Sequence, residues 1–514
     1  MSQGNPIKQA IVLAHGRGDD CFPYGGAKAL RPKYAMEVDD VPLVRRAVDA
    51  VRQVGVEDVT VAVGFLAQAV EEVFADLPAS DRPRFVRVEP YDHGDAPALA
   101  AVIKQMGVDG DLLVVNGDLF AQPGEYQAVV DALIANDRKT LCALVDPLAD
   151  EEDKLSWHTV SVDEGSGKIA SFNGPVSDGA LRVSGLYAVP AGLVGALSKA
   201  PSGGPLDRCY LARHLGAMVG PKAAIVAVKA SSPVVHVDRC FDYLEANMVQ
   251  VHVQVNAIPQ RKGVYVYRGG EGDPDPRYVF PGTMVHKGAT LVFEEDAFIS
   301  PYDTLEDHLA AIKDAPRQVT PIRIRGDVYL GARARIGLCS EIEGGLYMWP
   351  ESSVDDSMIE KDVILGAGTC IRRKGFVRSE SVLMAGSRIE CAADYEGTSG
   401  PGTIFMHPSQ CWICCGRRCD CGAGNFFGTW RFDSKASKFL IRGRQVTPKE
   451  KVGNATFLGD NVRSAVMVNF TPGTRVGSDT LIGPGVVATG RLDPGRAYLL
   501  KQDIVKARVS LLRR

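Results

Sequence analysis

Short apolar runs separated by turn-rich stretches fill the first half of the chain, and a different rhythm takes over in the second. Residues 10–14 are apolar throughout, as suits a central strand buried on both faces, and residues 59–63, 85–88 and 112–115, interrupted only by Thr60 and Arg87, read as further buried strands. After the first run, Leu43, Ala47, Ala50, Val51 and Val54 recur at helical spacing. Strands alternating with helical stretches predict an α/β domain, a doubly wound parallel sheet, over residues 1–250. Ligands of such sheets sit beyond the carboxyl ends of the strands, which puts Gly16, the His93-Gly94-Asp95 turn and Asn116-Gly117-Asp118 on one rim.

The second half carries a six-residue period. Ile324, Leu330, Ile336, Ile342, Met348 and Val354 are evenly spaced, and after one five-residue slip through Ile359 the series resumes at Leu365, Ile371, Val377, Leu383 and Ile389. It returns as Cys415, Cys421, Phe427 and again as Leu458, Ser464, Phe470, Val476, Ile482. One inward residue per short strand and three strands per coil make this a parallel β-helix of hexapeptide repeats over residues 319–514. The breaks at residues 392–410 and 428–457 are expected to be loops thrown out from the coil. Residues 251–318 mix short apolar strands, a Gly/Pro/Asp-rich turn and one helical stretch, and read as an inserted or elaborated linker segment.

Composition narrows the class. The 514 residues call for two to four domains, and 58 basic against 62 acidic side chains give a net charge of −4, with no sign of a nucleic-acid or membrane surface. No stretch approaches a membrane span and no basic leader opens the chain, so a cytoplasmic protein with reduced thiols is expected. Cys415, Cys421 and Cys419 fall on inward positions, where small buried thiols account for them without a metal, although such spacing is also a zinc signature. Cys411 and Cys414 have no place in the period.

The stretch from Lys8 to Ala50 has the layout of a nucleotide site: a buried strand, then Gly16 and Gly18 where a backbone must pass close to phosphates, then an amphipathic helix. A tight strand-to-helix turn would read the same way. The stretch resembles the opening of the sugar-phosphate nucleotidylyltransferases, G-x-G-T-R-[LM]-x-P followed by R-P-K-P, matched here by Gly16, Gly18, Pro23 and then Arg31-Pro32-Lys33. The resemblance implies a Rossmann-like nucleotidyltransferase domain in which the loop Gly16-Arg17-Gly18 wraps a nucleotide and Lys33 lies against phosphate oxygens. It departs where Asp19-Asp20 replace Thr-Arg. Aspartate there would repel a triphosphate unless a metal lies between, and Arg17 or Lys28 is the candidate substitute.

Further segments are similar to the same family. His93-Gly94-Asp95-Ala96-Pro97-Ala98-Leu99 resembles the G-T-A-x-A-L segment that contacts the base, so Gly94 and Asp95 are implied nucleotide contacts. Asn116-Gly117-Asp118 resembles the strand-end G-D whose aspartate holds Mg2+, a suitable ligand for a hard cation. The segment from Val235 to Asn247 is similar to the closing D-V-x-T-P-E-D-L-x-x-A-N. The first Asp of that pattern falls on His236, which leaves Asp238 as the implied second metal carboxylate. Gly185 and Tyr187 match the sugar-side strand, and Asn173-Gly174-Pro175 stands where the family has Glu-Lys-Pro.

A second resemblance covers the coil. Gly422-Ala423-Gly424, Arg431-Phe432-Asp433 and Leu458-Gly459-Asp460-Asn461-Val462 look like the acyltransferase half of archaeal-type bifunctional sugar-phosphate enzymes, which join a nucleotidylyltransferase to a left-handed β-helix. The family's exposed histidine, which deprotonates an amino sugar for attack on acetyl-CoA, has His407 as its only counterpart. Gly428-Thr429 replaces its Ala-Asn pair. The resemblance thus implies transfer of a nucleotide from an NTP to a sugar-1-phosphate or similar phosphorylated small molecule, with Lys33, Asp118 and His407 as catalytic residues. The alternatives are an acyl-CoA-dependent acyltransferase with an inactive first domain, or a non-catalytic regulatory or scaffold homologue. The family packs three coils about one axis, and the apolar residues Tyr329, Tyr347 and Val382 outside the six-residue register suggest a covered face, so a homotrimer through the β-helix is expected.

Overall fold

The computed structural model describes residues 6–148, 159–172, 181–199, 211, 214, 225–313, 321–441, 443–448 and 450–501. The first half is built on a nine-stranded sheet. Gln9–Ala14 lies inside it, parallel to Asp58–Val63 on one side and Leu112–Asn116 on the other, with Arg84–Arg87 outside Asp58–Val63. Side chains alternate across a strand, so Ala10, Val12 and Ala14 pack with helices Leu43–Gln53 and Pro123–Ala135, while Ile11 and Leu13 pack with helix Asp95–Met106 on the other face. This two-sided burial is why the central strand is apolar at every position.

The sheet carries helices on both faces but is mixed, which corrects the expectation that it is parallel throughout. Leu181–Val189 runs antiparallel to both Leu112–Asn116 and Cys142–Pro147. An apolar run buried on both faces looks the same in either direction, so hydrophobic pattern carries no orientation.

Beyond it, short strands stack into ladders of 19 and 10 strands. Apart from the first, Tyr265–Arg268, which pairs antiparallel with Thr290–Phe293, the ladder pairings are parallel. Ile324 faces Ile342 at a step of 18 residues, while Met348 faces Leu365 and Val354 faces Ile371 at 17, the shortened step being the slip in the period. Ile324 through Ile389, Cys415, Cys421, Phe427 and the apolar members of the last run belong to one continuous buried core. The arrangement is compatible with a β-helix.

Two expectations for the coil need correction. Strands Met284–Val285, Thr290–Phe293 and Phe298–Ile299 of the supposed linker pair with Arg323–Ile324, Val328–Leu330 and Arg335–Ile336, so they are early rungs of the ladders. Residues 392–410 are no loop either. Leu383 faces Ser399, which faces Cys415, at steps of 16, with Tyr395 and Phe405 buried inside. The period fails there because the step shortens. The break at residues 428–457 does leave the ladders until Thr456–Leu458 rejoins them, and it holds a small hairpin, Phe439–Ile441 with Arg444–Val446, followed by the short helix Glu450–Gly453.

The two halves share a core. Helix Cys240–Asn256 lays Phe241, Tyr243, Leu244, Val251 and Val255 in one cluster with Tyr347, Ile364, Val382, Met384, Trp412, Cys414 and Phe457 of the coil. The outward row Tyr347, Ile364, Val382 runs through successive rungs. The chain itself covers this apolar face, so these residues carry no argument for a neighbouring copy. Cys411, Cys415, Cys419 and Cys421 point into the coil and Cys414 into the shared core. Among the described residues no group of three or more His, Cys, Asp or Glu side chains forms a metal cluster, and no helix is long and apolar enough to cross a membrane.

Candidate nucleotide site

The central strands deliver the site at their carboxyl ends. Gly117 N donates to Leu13 O at 2.9 Å, and a Cβ there would lie 3.0 Å from that oxygen, a tight contact that glycine avoids where the two strand ends close up. Asp118 follows and leads into Leu119–Phe120, which pairs antiparallel with Val235–His236. That register, with Val237 N donating to Asp118 O at 3.0 Å, carries Asp238 to the side of Asp118 across 120 residues of sequence.

Lys33 stands between the two carboxylates. Its ammonium forms ion pairs with Asp118 and with Asp238, and the lysine is buried. Burial alone would lower the lysine's pKa, but Asp118 and Asp238 hold it well above the ordinary value. Burial would likewise raise Asp238, and Lys33, with smaller help from His236 and Arg239, brings it below the usual carboxylate range. Asp95 opens helix Asp95–Met106, and its carboxyl is pushed up to about 6, first by burial and then by Asp118 and Asp238. Tyr187 is buried nearby, its hydroxyl raised by burial and by Asp95.

The glycine loop closes over this group. Gly18 has φ 67°, and a Cβ on it would lie 3.1 Å from Lys33 Cδ. Gly16 N donates to Tyr34 Oη at 3.1 Å. Tyr34 was not singled out from sequence, and its place directly after Lys33 was the available signal. Arg17, an expected nucleotide contact, makes two hydrogen bonds to Asp19, Nε to Oδ1 at 2.7 Å and a terminal nitrogen to Oδ2 at 2.8 Å. Lys28, the other candidate for the place of the family's arginine, is exposed.

Among the other expected residues, Gly94 sits at φ 105° ahead of the Asp95 helix. Gly185, at φ 70°, packs on Asn116, where a Cβ would lie 2.7 Å from Nδ2. Asn173 lies outside the described residues. His407 belongs to the coil, on an exposed turn at φ 70°, its backbone N donating to Glu390 O at 3.1 Å. The arrangement therefore brings Lys33, Asp118, Asp238, Asp95 and the Gly16–Gly18 loop together and keeps His407 on a different element.

Arg31, which the sequence places in the phosphate-binding motif, turns the other way. Nε and a terminal nitrogen donate to the two oxygens of Asp460 in the coil at 2.9 and 3.1 Å, and the other terminal nitrogen pairs with Glu37 and donates to Ala35 O at 2.9 Å. Glu37 in turn accepts from Arg417 Nε at 2.6 Å. Burial would lower the Arg31 pKa, but Asp460 and Glu37 hold it above the ordinary value. Breaking such a buried pair from one side costs about 3–5 kcal/mol, so this network ties the two halves firmly.

Two carboxylates sharing one cation at a strand end are a donor set suited to Mg2+, which usually takes one or two carboxylates and completes its shell with water and phosphate oxygens. Asp118 and Asp238 would hold it, with Lys33 released toward phosphate.

Residues 10–253 match the family model described as the MobA-like NTP transferase domain. The chain is 28% identical over 134 residues to the bifunctional protein GlmU of Methanococcus maripaludis strain C5, covering 25% of this chain and 31% of that protein. It is 31% identical over 78 residues to the bifunctional sugar-1-phosphate nucleotidylyltransferase/acetyltransferase of Sulfurisphaera tokodaii, covering 15% of this chain and 19% of that protein. The match thus spans under a third of these curated relatives. Among solved structures, a UDP-glucose pyrophosphorylase from Acinetobacter baumanii aligns with a TM-score of 0.40 at 16% identity, covering 48% of this chain and 94% of that one. An inositol-1-phosphate CTP transferase from T. maritima aligns with a TM-score of 0.39 at 17% identity, covering 48% and 97%. Over residues 10–253 the chain is therefore similar to the MobA-like NTP transferase domain.

Proposed function

We propose that the protein is a sugar-1-phosphate nucleotidyltransferase. A phosphate oxygen of the acceptor attacks the α-phosphorus of an NTP in line, the new P–O bond forms as the α–β anhydride breaks, and pyrophosphate leaves. The observation that carries this reading is the juxtaposition of Lys33 with Asp118 and Asp238 beneath the Gly16–Gly18 loop. Lys33 neutralises charge on the phosphates, the loop backbone approaches the nucleotide, and Asp118 and Asp238 hold Mg2+, which when bound supplies electrostatic stabilisation of the transferring group. Asp95 faces the same carboxylates and contacts the base, with Gly185 and Tyr187 on the acceptor side.

The coil is read as a left-handed β-helix that supports a homotrimer. What favours an added acyl transfer from acetyl-CoA is the exposed turn at His407 in the coil, together with the similarity to a protein named as a bifunctional nucleotidylyltransferase/acetyltransferase. Purified protein with each of the four NTPs, Mg2+ and a panel of sugar phosphates, assayed for pyrophosphate, tests the main reading. Its failure is no pyrophosphate above background with any pair. A monomer at micromolar concentration in sedimentation equilibrium removes the trimer.

A further inference from the structure

We propose that Arg31 is a positioning residue for Lys33, and that the coil, through Asp460 and Arg417, holds that lysine in its working place. The inference rests on the nucleotidyl-transfer reading, because it concerns the same lysine. One segment serves both functions. Residues 24–37 are hydrogen-bonded to the coil at three points: Tyr24 Oη donates to Cys414 O at 2.5 Å, Arg31 grips Asp460 with two bonds at 2.9 and 3.1 Å, and Glu37 accepts from Arg417 Nε at 2.6 Å. The same segment supplies Lys33 to the two carboxylates and the Tyr34 hydroxyl to Gly16 N.

The mechanical link is short. Only Pro32, with φ at −72°, separates Arg31 from Lys33, and a proline transmits displacement because its φ cannot swing. Arg31 also donates to Ala35 O at 2.9 Å, so its guanidinium clamps the turn Lys33–Ala35 from the side facing the coil. Asp460 is itself fixed: it accepts from Arg417 N at 2.8 Å, its own N donates to Ser478 Oγ at 3.0 Å, and a Cβ on Gly416 would lie 2.2 Å from its Oδ1. Arg31, Glu37 and Asp460 are all buried, and with Arg417 their charges balance. A planar fork matched to a carboxylate sets direction as well as distance, which a point charge does not. A lysine free to drift by about 1 Å loses on the order of 10²-fold in rate.

The test uses the full chain with Asp460→Asn, Arg31→Lys and Asp460→Glu. Lys33 acetylation by an N-hydroxysuccinimide ester is followed by peptide mass spectrometry against Lys139, whose side chain is 77% exposed. The expected result is a rise in relative Lys33 labelling of about tenfold in Asp460→Asn and Arg31→Lys, a fall in kcat on the order of 10²-fold with a smaller change in the KM for NTP, and partial return in Asp460→Glu. Unchanged Lys33 labelling in folded Asp460→Asn overturns the proposal. Labelling needs no turnover, so a chain that releases no pyrophosphate fails the nucleotidyl-transfer reading while labelling still decides the position of Lys33. If Asp460→Asn does not fold, Arg417→Ala, at a partly exposed side chain, decides by the same labelling.

Discussion

Arg17 holds Asp19 by two parallel hydrogen bonds, 2.7 and 2.8 Å long, within the glycine loop. The acidic pair that replaces the family's Thr-Arg is therefore partly neutralised in place, and the repulsion of a triphosphate expected from Asp19 is reduced. The Arg17 guanidinium is in turn committed to a neighbour. Both side chains are about one-third exposed (34% each), so the pair is worth only about 0.2–1 kcal/mol. Asp19→Asn should release Arg17 to phosphate and lower the KM for NTP by about two- to fivefold with little change in kcat. A raised KM in steady-state kinetics would show that the pair itself shapes the loop.

Asp118→Asn should lower kcat by about 100-fold or more while leaving thermal unfolding within a few degrees of wild type, because the amide keeps the side chain's shape and Asp238 still neutralises Lys33. Pyrophosphate release and differential scanning fluorimetry together read this out. Undiminished turnover rejects the role given to Asp118.

Asp40 gives the docked state a pH dependence. Its carboxyl accepts from Ala385 N of the coil at 2.7 Å, and its pKa is pushed up to about 7, first by burial and further by Asp39 and Glu37. A carboxyl raised in the folded state favours folding while it is protonated. Its contribution is complete below the ordinary value near 3.8 and is lost as pH rises through about 7. Wild type should lose about 2–4 kcal/mol from this source between pH 4 and 8, and Asp40→Asn should not. Urea unfolding of both at pH 5 and pH 8 decides. Parallel pH profiles would remove Asp40 as the cause.

Val382 sits fully buried where helix Cys240–Asn256 covers the coil. Val382→Asp would strand a carboxylate there and cost on the order of 3–5 kcal/mol, undocking the halves before either unfolds. Trp412 lies in the same core, so tryptophan emission should shift to the red in a first, separate urea transition. A single unshifted transition would mean that the face is more tolerant than its burial implies.

Much of the architecture was legible in residue order because it is periodic. The central strands announce themselves by runs apolar on both faces, and the coil by one buried residue in six, down to the slip at Ile359 that appears as a 17-residue step. The same logic put Cys415, Cys419 and Cys421 inside. Local motif order also named Lys33, Asp118 and Asp238, which the register of Leu119–Phe120 with Val235–His236 brings side by side. Periodicity does not encode strand direction, so the antiparallel course of Leu181–Val189 could not be read from it. It also fails wherever the step changes, so the 16-residue rungs around Tyr395 looked like a loop. Only tertiary structure decided what covers the outer face of the coil, because an apolar row at Tyr347, Ile364 and Val382 is equally satisfied by a neighbouring chain or by the protein's own helix. The same holds for Arg31. Its charge was plain in the sequence, but a guanidinium can pair with phosphate or carboxylate alike, and its partner, Asp460, lies 429 residues away.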